Sequence, residues 1–144
     1  MIIRQMKLED CEQVAIIEAE SFSMPWSLKV FQDTIDIPNY RYFVVEQEGE
    51  ILGYCGFIFV LDEAEIPNVC VKKSARQQGV AKQMMKFLEE EAKKLGIVVL
   101  YLEVRQSNEP ARKLYTLLGF QEDGIRKDFY ELPKENAVLM HKTL

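Results

Sequence analysis

The segment from Glu65 to Val104 constrains the fold more than any other, because its apolar period changes twice. Glu65 to Lys72 reads as a strand that runs straight into Ser74-Ala75-Arg76-Gln77-Gln78-Gly79. From Gly79 the pattern turns helical: Val80, Met84, Leu88 and Ala92 recur four apart, with Ala81, Met85 and Leu95 alongside. Lys82, Lys86, Glu89, Glu90, Lys93 and Lys94 fill the opposite face. Leu95-Gly96 ends that helix, and Ile97 to Val104 (IVVLYLEV) is apolar enough for a central strand. A helix with one apolar stripe, set between two strands, has to bury the stripe against a sheet.

The flanking segments extend that sheet. Met1 to Gln5 reads as a short strand. A helix then opens at Leu8, with Cys11, Val14, Ala15, Ile17 and Phe22 at near-helical spacing and Glu9 and Asp10 in its first turn. Ser23-Met24-Pro25-Trp26-Ser27 interrupts it, and Ser27 suits the N-cap of a second short helix through Ile35, closed by Ile37-Pro38-Asn39. Arg41 to Glu46 and Glu50 to Leu61 flank Gln47-Glu48-Gly49, a hairpin signal. Ser107-Asn108-Glu109-Pro110 starts a last helix, followed by Ala111, Leu114, Tyr115 and Leu118 on one stripe and Gly119-Phe120 at its end. Ile125 to Leu132 and Ala137 to His141 read as a final antiparallel pair. The predicted order is β-α-α-β-β-β-α-β-α-β-β, an α+β architecture on a mixed sheet. With 144 residues and no linker, repeat or low-complexity tract, a single domain over residues 1–144 is expected.

Composition excludes several classes. Cys11, Cys55 and Cys70 are odd in number, lack CxxC spacing and sit in apolar segments, so they read as buried reduced thiols of a cytoplasmic protein. With His141 the only histidine, neither a histidine metal cluster nor a Ser–His or Cys–His pair is expected. Arg4, Lys7, Glu9 and Asp10 precede any long apolar run, which argues against a signal peptide. The longest apolar stretch, Ile51 to Leu61, contains Gly53 and Gly56 and falls well short of the roughly 18 residues of a membrane span. A net charge of −5 disfavours broad phosphate neutralisation on nucleic acid and suits a cationic partner.

The chemistry concentrates where Val69-Cys70-Val71 passes through Arg76-Gln77-Gln78-Gly79-Val80-Ala81 into the helix. A helix start there presents unpaired N–H groups and the positive end of the dipole, with Gly79 and Ala81 keeping the turn small and Arg76 and Lys82 adding charge. That suits a phosphate or pyrophosphate; an ordinary strand–helix turn with solvated basic residues is the plainer alternative. The stretch is neither a P-loop nor a GxGxxG motif. It does match (Q/R)xxGx(G/A), and Asn108, Ala111, Tyr115 and Gly119-Phe120 match N-x-x-A-x-x-x-Y-x-x-x-GF. On these two motifs the chain resembles the GNAT acetyltransferases. Phe22 to Ser27, Leu61 to Glu65, Leu102 to Asn108 and Gly124 to Tyr130 resemble, more narrowly, the bacterial ribosomal-protein-alanine N-acetyltransferases.

The resemblance implies a mostly antiparallel sheet with helices on both faces, and acetyl-CoA as donor. The backbone of Val69, Cys70 and Val71 would take its acetyl and pantetheine portion. The turn Arg76, Gln77, Gln78, Gly79, Val80, Ala81 and Lys82 would take the pyrophosphate, and Asn108 a further cofactor contact. Lys82 stands where arginine is frequent, and supplies charge without a bidentate fork. No metal is implied, and the acceptor would be a protein N-terminus, the alanine of a small-subunit ribosomal protein.

Period-two alternation puts Val99, Tyr101, Glu103 and Arg105 on one face of the apolar strand. Desolvation there raises a carboxylate's pKa, with Arg105 expected to oppose the shift, and a carboxylate tuned upward suits a general base. A strand-end salt bridge is the plainer reading of Glu103, but the resemblance puts the base at this residue. Tyr115 shares the apolar stripe of its helix and would serve as core; the resemblance makes it the general acid. Trp26 and the acidic residues Asp62, Glu63 and Glu65 would border the acceptor groove, with Arg126 and Tyr130 nearby. At pH 7 roughly a tenth to a sixth of α-amines are neutral, against about one lysine in 2,500, so an α-amine is the easier nucleophile. A lysine side chain, a cationic small-molecule amine, or a module that binds acetyl-CoA without turnover remain the alternatives.

Overall fold

A computed structural model describes residues 1–144. Its elements are β1 (Ile2–Gln5), α1 (Cys11–Ser21), α2 (Leu28–Thr34), β2 (Tyr40–Gln47), β3 (Glu50–Val60), β4 (Glu63–Ile66), β5 (Val69–Val71), α3 (Val80–Lys94), β6 (Val99–Arg105), α4 (Glu109–Leu117), β7 (Gln121–Glu131) and β8 (Lys134–Thr143). The eight-stranded sheet runs β1-β2-β3-β4-β6-β8-β7, with β5 paired to β3 beside β4. Only β4 and β6 run parallel; every other pair is antiparallel. The α+β class and the mostly antiparallel sheet are as expected.

Local chemistry sets the boundaries. Glu48 and Gly49, at φ 51° and 80°, make the two-residue turn between β2 and β3, where positive φ at both positions matches the strand twist. Ser27 caps α2 by accepting from the Val30 N–H at 3.3 Å. Asn108 caps α4 in the same way, from the Ala111 N–H at 3.3 Å. The Asp10 carboxylate, paired with Arg4 at 2.7 Å, accepts from the Lys7 N–H at 2.8 Å just ahead of α1.

Alternation along the strands fills two cores. Phe43, Val45, Cys55 and Phe57 meet Val80, Met84, Leu88 and Ala92 of α3 on one face. Tyr42, Val44 and Tyr54 meet Cys11, Val14 and Ile17 of α1 and Phe31 of α2 on the other. The helices therefore cover both faces. Met84 and Leu88 are fully buried, each such side chain stabilising the fold by roughly 1.5–3 kcal/mol. All three cysteines are free and buried. No helix is long and apolar enough to cross a membrane.

Two expectations need correction. Glu65 to Lys72 is not one strand: β4 pairs Ile58 with Glu65, whereas β5 pairs Cys55 with Val69, one residue out of register. Pro67 lies at the break and has no N–H to continue the ladder. The final hairpin is also longer than Ile125 to Leu132 with Ala137 to His141. β7 is an edge strand exposed along nearly all its length, so its polar residues gave no apolar alternation to read.

Candidate active site

The break at Pro67 opens the sheet. β4 stays paired with β6 as far as Ile66 and Leu102, and β5 then follows β3 while β6 continues on β8 alone. A cleft of about 840 Å³ lies at this parting, lined among others by Glu18, Trp26, Asn68, Glu103, Tyr115 and Tyr130. Val69 and Asn108 line it as well.

Glu103 is the first β6 residue beyond the last β4 pairing. Burial raises its pKa above the ordinary carboxylate value, Arg126 pulls it down and Glu65 pushes it up. The guanidinium of Arg126 donates to Glu103 Oε1 at 3.3 Å. Arg105 is not the opposing cation expected from the strand pattern. It pairs with Glu135 at 3.2 Å and donates to the carbonyls of Pro133 and Leu132 and to Ser23 Oγ. It also stacks 4.3 Å from the centre of the Tyr130 ring. Neighbours on one strand face diverge when each finds its own partner across the sheet. Tyr130 is half-buried, and burial together with the Glu103 charge pushes its phenol up to about 12.

Tyr115 is 8% exposed and packs edge-on against Phe120 at 5.8 Å, so the core role inferred from its helical stripe is real. It also borders the cleft, and burial raises its phenol's pKa. A phenol shifted that way stays protonated throughout the physiological range.

The turn ahead of α3 is built from backbone. Gln77 and Gly79 both have positive φ, 63° and 76°. A Cβ on Gly79 would meet nothing within 4 Å, so within the chain glycine is favoured there by conformation rather than by space. No side chain caps α3, and its first ladder bond is Gln83 N–H to the Gly79 carbonyl at 3.1 Å. The N–H groups ahead of Gln83 are thus left for solvent or an anion. Arg76 does not extend beside them: its guanidinium turns back to the Val71 carbonyl at 3.0 Å and to Ser21 Oγ at 3.1 Å. Lys82 is exposed. Cys70 points its thiol at the Ile17 carbonyl of α1, leaving only its backbone on the β5 edge. The turn does not line the cleft itself, but joins it through β5.

Glu18 was missed in the sequence. It is 1% exposed and accepts hydrogen bonds from the Tyr54 hydroxyl, the Trp26 N–H at 2.8 Å and Asn68 Nδ2 at 3.3 Å. The available signal was its place four residues after Val14 and seven after Cys11, on the inward stripe of α1.

The profile of the acetyltransferase (GNAT) family matches residues 11–120. A Bacillus subtilis protein, provisionally named a ribosomal protein bS18-alanine N-acetyltransferase, is 38% identical over 143 residues, 99% of this chain and 95% of its own. The ribosomal protein bS18-alanine N-acetyltransferase of Escherichia coli is 33% identical over 140 residues, 96% of this chain and 94% of its own. The crystal structure of the Escherichia coli ribosomal-protein-S18-alanine N-acetyltransferase superposes with a TM-score of 0.91 at 32% identity, covering 99% of this chain and 92% of that one. Matched over most of its length by the profile and over nearly all of it by these relatives, the chain belongs to the GNAT acetyltransferase family and is an N-acetyltransferase.

Proposed function

We propose that the protein acetylates the N-terminal α-amine of a protein, the alanine of small-subunit ribosomal protein bS18, with acetyl-CoA as donor in the cytoplasm. The names of its full-length relatives support that acceptor. The observation that carries the mechanism is the convergence of Glu103 and Tyr115 on one cleft where the pairing of β4 with β6 ends.

The residues present fit acetyl-CoA. The outer edge of β5, Val69 to Val71, carries no strand, and uncapped N–H groups lie at the start of α3. When bound, the donor supplies an activated acyl group on a thiolate leaving group. The backbone of Val69, Cys70 and Val71 would hold its acetyl and pantetheine portion. The turn from Arg76 through Gln77, Gln78, Gly79, Val80 and Ala81 to Lys82 would hold its pyrophosphate. Asn108, at the N-cap of α4, would supply a further contact.

Glu103 takes the proton of the acceptor's ammonium, directly or through one water, leaving the amine free to attack. Burial raises its pKa and so brings it nearer the amine's value. Tyr115 holds a proton for the departing thiolate, whose reference pKa is about 8.5. Trp26 and the α1–α2 connection form the acceptor wall, and Tyr130 also lines the cleft. Glu65 lines the cleft and favours a basic acceptor, whereas Asp62 and Glu63 lie outside its lining.

Two peptides that begin with alanine and carry a basic, lysine-containing tail test this reading, one of them blocked at its α-amine. Acetylation of the free peptide alone, at its first residue, is expected by mass spectrometry. Equal acetylation of both would move the activity to lysine, and transfer to neither would remove the N-terminal reading.

A further inference from the structure

Glu18 is a buried carboxylate for which the mechanism has no use. No cation faces it: its partners are the Tyr54 hydroxyl, the Trp26 N–H and the Asn68 amide. Burial raises its pKa, and the hydrogen bonds from Trp26 and Tyr54 pull the other way. An apolar residue on the inward stripe of α1 would cost less to bury, but would strand these donors.

The donors come from segments far apart in the chain. Trp26 belongs to the α1–α2 connection, one wall of the cleft, and packs on Phe31 at 5.7 Å. Asn68 follows Pro67 at the break between β4 and β5, where the pairing of β4 with β6 ends. Tyr54 anchors the carboxylate to β3, packed edge-on to Phe31 at 5.4 Å. One carboxylate oxygen, Oε2, accepts from both Trp26 and Asn68.

We infer that Glu18 is a positioning residue that ties the acceptor wall at Trp26 to the strand break at Asn68, fixing the two sides of the cleft at one spacing. It acts through hydrogen bonds accepted at one oxygen, and touches no reacting atom. The inference rests on the proposed reading only in treating the Trp26 wall as the acceptor side.

Trp26 is the only tryptophan of the chain, so its fluorescence reports on the tied segment directly. The experiment compares Glu18→Leu, Glu18→Gln and the packing control Val14→Ala for acrylamide quenching of Trp26, and for KM and kcat with the alanine peptide. Glu18→Leu is expected to make Trp26 markedly more quenchable and to raise the acceptor KM about tenfold, with kcat within about threefold. Glu18→Gln is expected to rescue both readouts to near wild type, because its carbonyl can serve Trp26 and Asn68 while its amide donates to the Tyr54 oxygen. Val14→Ala is expected to lower Tm without moving either.

Unchanged quenching and KM in Glu18→Leu would overturn the inference, as would the same quenching and KM changes in Val14→Ala. A collapse of kcat at constant KM would overturn it by placing Glu18 in the chemistry. Failure of Glu18→Gln to rescue would make the charge, not the hydrogen bonds, the requirement. If Glu18→Leu does not fold, Asn68→Ala cuts the same tie from its partly buried end. It should then raise the acceptor KM about threefold, and an unchanged KM would overturn the inference. Should the wild type leave the alanine peptide untouched, the proposed function fails, and the quenching comparison still decides the role of Glu18.

Discussion

The two sides of the proposed site, the donor turn and the cleft that β5 joins to it, are made by different means. The turn from Val69 to Lys82 is one continuous stretch, shaped by positive φ at Gln77 and Gly79, and in the proposed reading it works through backbone N–H and C=O groups. The facing side is made of side chains drawn from across the chain. Arg105 reaches Ser23, 82 residues away, and Asn68 reaches Glu18, 50 residues away. A backbone site recognises one invariant ligand with groups that every residue carries, so substitutions harm it mainly where conformation demands glycine. A side-chain site is tuned residue by residue, which is how related enzymes on one fold come to choose different amines.

The strongest test of that contrast removes the proposed base. Glu103→Gln keeps the shape of β6 and should cut kcat about 10³-fold, within the usual range for a positioned general base. Affinity for acetyl-CoA, measured separately by calorimetry, should stay within about twofold, because the donor turn owes nothing to this side chain. A loss of donor affinity as large as the loss of kcat would dissolve the distinction between the two sides.

Tyr115→Phe comes next. It removes one oxygen from a side chain otherwise committed to packing against Phe120, so the fold should hold. The expected loss of kcat is about 10²-fold, at the low end for an acid–base group because a thiolate leaves readily. Activity within twofold of wild type would remove Tyr115 from the mechanism and leave it a core residue.

The same contrast explains what could be read from the sequence. The proposed donor turn is contiguous, and the short motif that marks it also marks the start of α3, which the structure bears out. Most of the strands and the cap at Ser27 followed from period and from residue type, and Ser107-Asn108-Glu109-Pro110 marked the start of α4. The strand break at Pro67 could have been found from the missing N–H, but the apolar residues on either side masked it. The opposing cation of Glu103 could not, because Arg105 and Arg126 are equally plausible until β8 and β7 are laid beside β6. Glu18 resembled any solvated helix glutamate until Tyr54, Trp26 and Asn68 converged on it.

Gly79→Ala probes the backbone side with a smaller effect. The left-handed conformation should cost roughly 1–2 kcal/mol of stability, read as a lowered Tm. No Cβ clash within the chain adds to that. The added methyl group and the distorted turn should together raise the KM for acetyl-CoA about tenfold and leave that of the acceptor peptide unchanged. An increase confined to the acceptor would reverse the assignment of the two sides.

The smallest effect is the most selective. Arg126 favours the ionised form of Glu103 and is half exposed, so Arg126→Ala should raise the Glu103 pKa further above the ordinary carboxylate value. A base works only when ionised, so activity is lost as pH falls through the folded pKa, and the variant should lose it at higher pH than wild type. Ionisation of the acceptor amine also shapes each profile, but it is identical for the two enzymes and cancels in the ratio of their kcat/KM values. That ratio should be flat at high pH and fall about two- to threefold on the acid side, the worth of a partly exposed ion pair. Screening by salt should bring wild type toward the variant. If the ratio is independent of pH, Arg126 does not set the charge state of Glu103 during turnover, and its ion pair belongs to the resting cleft alone.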